Sequence, residues 1–173
     1  MKLLTSRLSL REHVGSGVHP THQWRCDPRY LEHSPSDGYE ISLSEELIER
    51  FIGWQSTSPR RRWQLAIERR DTVELIGSGG VRTKGETDTA DIGHEFDPRH
   101  WGNGFATEAM SRLVTFAFEE ASLRLLTARA VCRNERSLRV LERLGFERAE
   151  TIPTGVTPYG TVWPDRYEYH LHG

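Results

Sequence analysis

The chain contains little cysteine and no long apolar run. Its 173 residues include only two cysteines, Cys26 and Cys132, which are too few for a disulfide framework and are typical of a reducing compartment. No apolar stretch approaches the ~18 residues of a membrane span, and the first residues lack the apolar core of a signal peptide. We therefore expect a cytoplasmic protein with no membrane partner.

An excess of charge of one sign is also absent. Lys and Arg together number 23 and Asp and Glu 25, which gives a formal net charge of −2. Proteins that hold nucleic acid through its phosphates usually carry a basic excess, so this balance argues against direct nucleic-acid binding. The chain also lacks internal repeats and linker-like tracts. Its length suits a single domain over residues 1–173, which can bury roughly two-thirds of the surface of the unfolded chain.

The most informative segment, residues 91–110, leads from a strand pattern through a glycine loop into a helix. Gly102 and Gly104 lack a Cβ atom, so the backbone can turn tightly there and bring successive N–H groups close to a ligand. The first N–H groups of the helix lack intrahelical partners and lie at the positive end of its dipole. The segment therefore predicts a phosphate site. The apolar residues that follow recur at the spacing of one helical face: Ala106, Ala109, Met110, Leu113, Phe116 and Ala117.

In a second segment, residues 123–146, the patterns of a strand, a turn and a helix again follow one another. Leu123 to Val131 is predominantly apolar and predicts a strand, and the polar residues 132–135 predict a turn. Ser137 to Leu144 has the pattern of a short helix that ends at a glycine, after which another strand is expected.

These two segments resemble the GNAT superfamily of acetyl-CoA-dependent N-acetyltransferases. Arg99-x-x-Gly102-x-Gly104 matches its Arg/Gln-x-x-Gly-x-Gly/Ala signature. The run from Ile92 to Ala109 and the segment from Asn134 through Ser137 to Leu-Gly-Phe146 are similar to its branch of ribosomal-protein N-terminal (alanine/serine) acetyltransferases, as is Leu4 to Arg11. The resemblance implies an α/β class, the acyl-CoA N-acyltransferase (GNAT) fold: a mixed, twisted sheet of about seven strands, antiparallel at first, with helices on both faces.

The rest of the sequence predicts elements compatible with that fold. A strand is expected over Leu3–Arg11, followed by an irregular polar stretch that contains Pro20, Pro28 and Pro35. A helix is expected over Ser44–Gln55, with Ser42 or Ser44 as its N-cap. The remaining patterns predict a hairpin of two strands and then two further strands: Trp63–Arg69, Val73–Thr83, Thr89–Phe96 and Thr161–Leu171.

The resemblance implies that acetyl-CoA is the cosubstrate and that no metal is needed. The loop amides from about Gly102 to Ala106 would donate to the pyrophosphate oxygens. Backbone groups around Phe96 would pair with the pantetheine arm like an added strand, and Asn134 would reach the arm from the other side. The residues expected to contact the cosubstrate are Phe96, Arg99, Trp101, Gly102, Asn103, Gly104, Phe105, Ala106, Thr107 and Asn134.

The expected chemistry is direct attack of an amine on the thioester, which needs at most a weak base and a proton donor. Ser137 stands at the family's position for the donor to the leaving thiolate. Asp91 and Glu95 lie on one face of their strand by its period of two, and either is a candidate base. Structural roles are the alternatives: Ser137 as a hydroxyl of the first helical turn, Asn134 as the helix cap, and both carboxylates as solvated strand residues.

The acceptor is expected to be a primary amine, and the resemblance favours a protein or peptide N-terminus. The alternatives are a small amine, such as an antibiotic, polyamine or metabolite, and a catalytically idle CoA-binding sensor. The stretch with least likeness, Gly15 to Arg62, would build the acceptor pocket. A monomer and a homodimer are both compatible with the sequence.

A nicotinamide dinucleotide site is disfavoured because Thr107 stands where the fingerprint of such a site needs its third glycine.

Overall fold

The computed structural model describes residues 1–34, 40–83, 85, 87–156 and 161–173. The strands in these residues are β1 (Lys2–Leu4), β2 (Leu8–Glu12), β3 (Arg62–Arg69), β4 (Leu75–Thr83), β5 (Thr89–Phe96), β6 (Leu125–Val131), β7 (Glu147–Ile152), β8 (Gly155–Val156), β9 (Val162–Trp163) and β10 (Arg166–His172). The α-helices are α1 (Val18–Arg25), α2 (Pro28–Leu31), α3 (Ile41–Gln55), α4 (Phe105–Thr115) and α5 (Glu135–Arg143).

Eight strands form one mixed sheet in the order β1-β2-β3-β4-β5-β6-β10-β7, and β8 and β9 form a separate pair. The first five strands follow chain order as an antiparallel meander, which confirms the predicted organisation. The pair β5–β6 is parallel and is held over only three residue pairs, from Thr89–Leu125 to Asp91–Thr127. Beyond Asp91 the two strands separate, and this divergence opens a cleft within the sheet.

Helices cover both faces of the sheet, as predicted. On β3, Leu65 and Ile67 belong to the large core that α4 and α5 complete, and we call this side the first face. Ala66, between them, points the other way and packs against Trp24 of α1 and Tyr30 of α2, on the second face. No helix in the described ranges is long and apolar enough to cross a membrane.

The polar stretch forms two helices, α1 and α2, with a break at residues 26 and 27, so the prediction of irregular structure over their residues is wrong. Pro20 lies in the first turn of α1, where its missing N–H would have had no helical partner. Pro28 is the first residue of α2, and the Asp27 carboxylate caps that helix. Both prolines are therefore compatible with helices that the apolar pattern alone does not reveal. Pro35 lies outside the described residues.

Three other predicted boundaries of helices and strands differ from those in the structure. The helix expected from Ser44 begins one turn earlier, at Ile41, with Glu40 at the N-cap position, so neither Ser42 nor Ser44 is the cap. Ser44 is instead buried against α1. The strand expected over Leu3–Arg11 is divided by a turn at residues 5–7, where the Thr5 N–H donates to the Leu8 carbonyl. The strand expected over Thr161–Leu171 is divided before β10, next to Pro164, which has no N–H to donate to a ladder.

Candidate active site

The cleft between the diverging strands has a volume of about 700 Å³. Its walls are Gly93–Phe96 of β5, Arg129–Val131 of β6, the glycine loop with the start of α4, and the inner side of α5. Residues of α1 and α2 close it on the second face. The two segments singled out in the sequence therefore form opposite walls of one cavity.

The glycine loop presents free backbone donors to this cleft. Gly102 and Gly104 have φ values of 81° and 77°, in the left-handed region that favours glycine. No side chain of the described residues caps α4, and Glu108 is the first residue whose N–H bonds back into the helix, to Gly104 O at 3.1 Å. The N–H groups of residues 105–107 therefore lack intrahelical partners and lie at the positive end of the helix dipole.

The turn between β1 and β2 holds this loop in place. Glu108 accepts hydrogen bonds from the Thr5 hydroxyl at 2.6 Å and from the Arg7 backbone N–H at 2.8 Å. The Arg7 guanidinium pairs with the same carboxylate at 2.6 Å and donates to Asn103 O at 2.9 Å. Burial alone would raise the pKa of Glu108, but these donors outweigh it and hold that pKa below its ordinary value.

Two of the ten predicted cosubstrate residues do not line the cleft. Arg99 is largely exposed and pairs with Asp97, with Nη2 and Oδ2 2.5 Å apart. The Asn103 amide donates to the carbonyls of His100 at 3.1 Å and Trp101 at 3.2 Å, so it shapes the loop. The eight that line the cleft are Phe96, Trp101, Gly102, Gly104, Phe105, Ala106, Thr107 and Asn134.

The edge of β5 that faces β6 leaves backbone groups available for an extended ligand. The Asp97 N–H donates to Ile76 O at 2.9 Å, across the ladder with β4. Because donors alternate along a strand, the N–H groups of His94 and Phe96 point the other way, toward the opening. The Phe96 carbonyl on this edge accepts from the Trp101 indole at 2.9 Å.

Glu95 lies in the cleft on the second face and is held at one oxygen. Its Oε2 atom accepts from the Tyr30 hydroxyl at 2.5 Å and from Arg25 at 3.0 Å. The other oxygen, Oε1, has no hydrogen-bond partner among the described residues. Burial and the adjacent carboxylate raise the pKa of Tyr30 far above its ordinary value, so the phenol stays protonated and donates.

Arg25 remains a cation beside that carboxylate. Burial alone would lower the pKa of Arg25, but Glu95 outweighs it and the pKa lies above its ordinary value. The Tyr30 and Arg25 side chains thus orient Glu95 from α1 and α2, the stretch with least likeness to the family.

Asp91 shares the second face with Glu95, as the period of two predicts, but does not line the cleft. Its Oδ1 atom is bound by Arg82, whose Nε lies 2.8 Å away and whose Nη2 also contacts it. The same guanidinium donates to the Gln64 amide oxygen at 2.6 Å. Asp91 therefore belongs to a polar network beside the cavity, and Glu95 is the candidate carboxylate inside it.

Asn134 and Ser137 meet at the start of α5 with different roles. The Asn134 side chain accepts from the Ser137 backbone N–H at 3.2 Å, which confirms it as the helix cap. Both residues line the cleft. The Ser137 hydroxyl makes no hydrogen bond within the described residues, so it is available to a ligand.

In the described part of the chain, the charged groups of the cleft other than Glu95 are arginines, which the sequence patterns did not single out. Glu95 is its only carboxylate among the described residues. His94 is also part of its wall, and burial lowers the pKa of His94 to about 4, so the imidazole is neutral at pH 7. Neither free cysteine lines the cavity. The arginines that do are Arg25, Arg82, Arg129, Arg136, Arg139, Arg143 and Arg166.

Comparison with known proteins identifies the family of the chain. The sequence profile of the acetyltransferase (GNAT) domain matches residues 7–147. YoaA of Bacillus subtilis, an uncharacterized N-acetyltransferase, is 36% identical over 138 residues, which are 77% of this chain and 76% of that protein.

Two solved structures show the same fold at low sequence identity. The ribosomal-protein-alanine acetyltransferase of Vibrio fischeri has a TM-score of 0.81 and 16% identity, over 99% of this chain and 96% of that chain. A microcin self-immunity acetyltransferase in complex with acetyl-CoA and AMP has a TM-score of 0.80 and 15% identity, over 98% of this chain and 94% of that chain. With its glycine loop, open strand edge and profile match, the chain belongs to the acetyltransferase (GNAT) family, whose acetyl donor is acetyl-CoA.

Proposed function

We propose that the protein transfers the acetyl group of acetyl-CoA to the N-terminal amine of a protein or peptide, in the cytoplasm and without a covalent enzyme intermediate. The observation that carries the proposal is the meeting of three features in one cleft. These are the free N–H groups at the start of α4, the Glu95 carboxylate and the unbonded Ser137 hydroxyl.

Acetyl-CoA would lie along the divergence of β5 and β6. The N–H groups of residues 105–107 donate to the pyrophosphate oxygens, in hydrogen bonds that the ligand's charge strengthens. The pantetheine amides pair with the open edge of β5 near Phe96, and the free amide N–H₂ of Asn134 approaches from the opposite wall. This placement directs the thioester toward the second face, where Glu95 lies.

Glu95 would accept the proton of the attacking amine. An α-amino group titrates near pH 7.7–8.0, so at neutral pH only one weak base is needed to generate the nucleophile. The Oε1 atom of Glu95 is free to accept that proton directly or through one water molecule, while Tyr30 and Arg25 hold Oε2 in place. A backbone N–H on the open edge of β5 stabilises the oxyanion of the tetrahedral intermediate.

Collapse of that intermediate breaks the C–S bond and leaves a thiolate. The Ser137 hydroxyl would donate to this sulfur, because it lines the cleft and has no competing partner in the described part of the chain. The amide product then departs together with CoA. Each step uses groups already present in the cleft.

The choice of a peptide N-terminus rests on the motif resemblance to the ribosomal-protein branch and on the similar fold of the Vibrio fischeri enzyme. An amine panel assayed by CoA release tests it. The panel contains peptides with a free N-terminus, the same peptides with a blocked N-terminus and an internal lysine, and the polyamine spermidine. We expect turnover only with free N-termini. Turnover with spermidine alone would assign the enzyme to small amines, and no CoA release with any amine would favour an idle CoA-binding domain.

The matched variants Glu95→Gln and Asp91→Asn test the assignment of the base. Each removes one carboxylate charge on the same face of β5, but only Glu95 lines the cleft. We expect Glu95→Gln to lower kcat about 10²- to 10⁴-fold at neutral pH. Asp91→Asn should retain most of the wild-type kcat. Comparable losses in both variants would show that neither carboxylate acts as a specific base.

A further inference from the structure

The side of the cleft that lies on the second face of the sheet carries an excess of positive charge. Four arginines lie there, and three of them already have a carboxylate partner in the protein. Arg25 pairs with Glu95 at 3.0 Å, and Arg129 pairs with Glu168 at 2.7 Å. The third pair joins Arg82 and Asp91. Each of these pairs is close to neutral as a unit, so none of them offers a free charge to a ligand.

Arg166 is the exception. No carboxylate in the described ranges lies within ion-pairing distance of its guanidinium. Its Nε atom is buried and makes no hydrogen bond to the described residues. The guanidinium lies over the ring of Trp163, whose centroid is 5.5 Å from the guanidinium carbon. A buried, unsatisfied donor on a charged group costs free energy, and a ligand with an anionic acceptor group would recover it.

The position of Arg166 places this charge beside the site of acyl transfer. Arg166 opposes Val131 in the β10–β6 ladder, and both residues line the cleft. Ala128 and Ala130 of β6 belong to the core on the first face, so Val131, Arg129 and the paired Arg166 face the second. Glu95 lies on the same face of β5, on the other side of β6.

The separation of Arg166 and Glu95 sets the size of the ligand between them. Two strand spacings give on the order of 10 Å between their backbones, and more where β5 diverges. Both side chains extend into the same cavity, which leaves room for a short molecule with an amine at one end and an anionic group a few bonds away. The guanidinium fork suits a carboxylate because it can donate two parallel hydrogen bonds.

We infer that the acceptor carries a carboxylate a few bonds from its amine and that Arg166, seated on Trp163, binds this carboxylate and determines specificity. The inference rests on the proposed acetyl transfer to an amine and names the class of acceptor. In a peptide the carboxylate is an acidic side chain next to the N-terminal residue. In a free amino acid it is the α-carboxylate.

Matched acceptors test the inference. Ala-Asp-Ala-amide is compared with Ala-Asn-Ala-amide, and alanine with alaninamide, by kcat/KM and by calorimetric affinity for the CoA complex. We expect the acidic member of a pair to be preferred about 10- to 100-fold, the range of one charged hydrogen-bonded pair. Preference within the peptide pair identifies a peptide source, and preference within the alanine pair identifies a free amino acid. Equal use and equal binding within both pairs would overturn the inference.

Variants show whether Arg166 is the cause. Arg166→Gln should abolish the preference by weakening only the acidic acceptor, and Arg166→Lys should retain part of it. Arg148→Gln is the control, because Arg148 also lies over a ring, that of Tyr167 at 4.5 Å, but outside the cleft. Equal loss for acidic and neutral acceptors in Arg166→Lys, with circular dichroism unchanged, would contradict the assignment. Calorimetric affinity for acetyl-CoA tests the proposed function separately, since Arg166 should not alter it.

Discussion

Single side chains in this cleft have separable structural and chemical roles, and the start of α5 shows it best. Asn134 caps the helix through its side chain, whereas Ser137 contributes its backbone N–H to that cap and leaves its hydroxyl free. The sequence alone allowed both roles for both residues. The structure assigns the cap to Asn134. Removing the Ser137 hydroxyl therefore tests catalysis without removing the helix cap.

Ser137→Ala should lower the rate of acetyl transfer about 10- to 1,000-fold, with little change in acetyl-CoA affinity. The reason is that a hydrogen bond to sulfur strengthens as the thiolate forms. Its thermal midpoint should stay close to that of the wild type, because no structural bond of the hydroxyl is lost. Asn134→Ala is the control, and it should cost about 1 kcal/mol of stability as a lost N-cap. A fully active Ser137→Ala protein would show that the serine is not the proton donor.

A buried histidine gives a prediction for acid stability. His13 is almost fully buried, and its Nε2 lies 3.0 Å from the Ser78 hydroxyl. Burial, reinforced by Arg11, lowers the pKa of His13 from 6.5 to about 4. As the pH falls through that window the unfolded chain binds the proton first, so stability is lost.

Between pH 7 and pH 5 this one group should remove about 2 kcal/mol of unfolding free energy. Denaturant titrations of the wild type and of His13→Gln at the two pH values check it. The variant is expected to be less stable at pH 7 but to lose about 2 kcal/mol less on acidification. An identical acid loss in both proteins would show that His13 is not the titrating group.

At the scale of elements, the junction of the glycine loop and α4 is the part that local sequence predicts best. The left-handed backbone conformation at Gly102 and Gly104 follows from the residue type, because glycine has no Cβ atom. The buried face of α4 follows from the spacing of its apolar residues, which are close together in the chain. Local sequence does not predict helices α1 and α2, because prolines in a polar stretch are typical of a loop. Only the packing of Trp24 and Tyr30 against the second face shows why these short segments are helical.

Gly104→Val should weaken acetyl-CoA binding by at least 10-fold. A branched residue is strained at φ 77°, and its side chain would disturb the turn that presents the free N–H groups of α4. Gly85→Val is a matched control, since Gly85 has φ 66° and open space around its Cβ position and lies outside the cleft. We expect both variants to lose some stability and only Gly104→Val to lose affinity by calorimetry. Unchanged affinity in folded Gly104→Val would place the pyrophosphate elsewhere.

At the scale of the molecule, the site depends on pairings between distant parts of the chain. β10 inserts between β6 and β7, which brings Arg166 to the cleft although it lies far in sequence from the glycine loop. The stretch from Gly15 to Arg62 is predicted to build the acceptor pocket, and Arg25 and Tyr30 of that stretch line the cleft. Another wall of the cleft comes from β6 and β10, which no local pattern could indicate because strand order is set by long-range packing.

The central claim is that the acetyl group passes directly from CoA to the amine within this cleft. The two cysteines are free, and neither lines the cavity, so no thiol is positioned to carry the acetyl group. A rapid-quench single turnover, with intact-protein mass spectrometry on the same samples, tests the claim. We predict that CoA and acetylated amine form at the same rate and that the protein gains no acetyl group, with or without acceptor. CoA release before the amine is added, with a stoichiometric acetyl adduct that is lost in Cys132→Ala, would contradict the account.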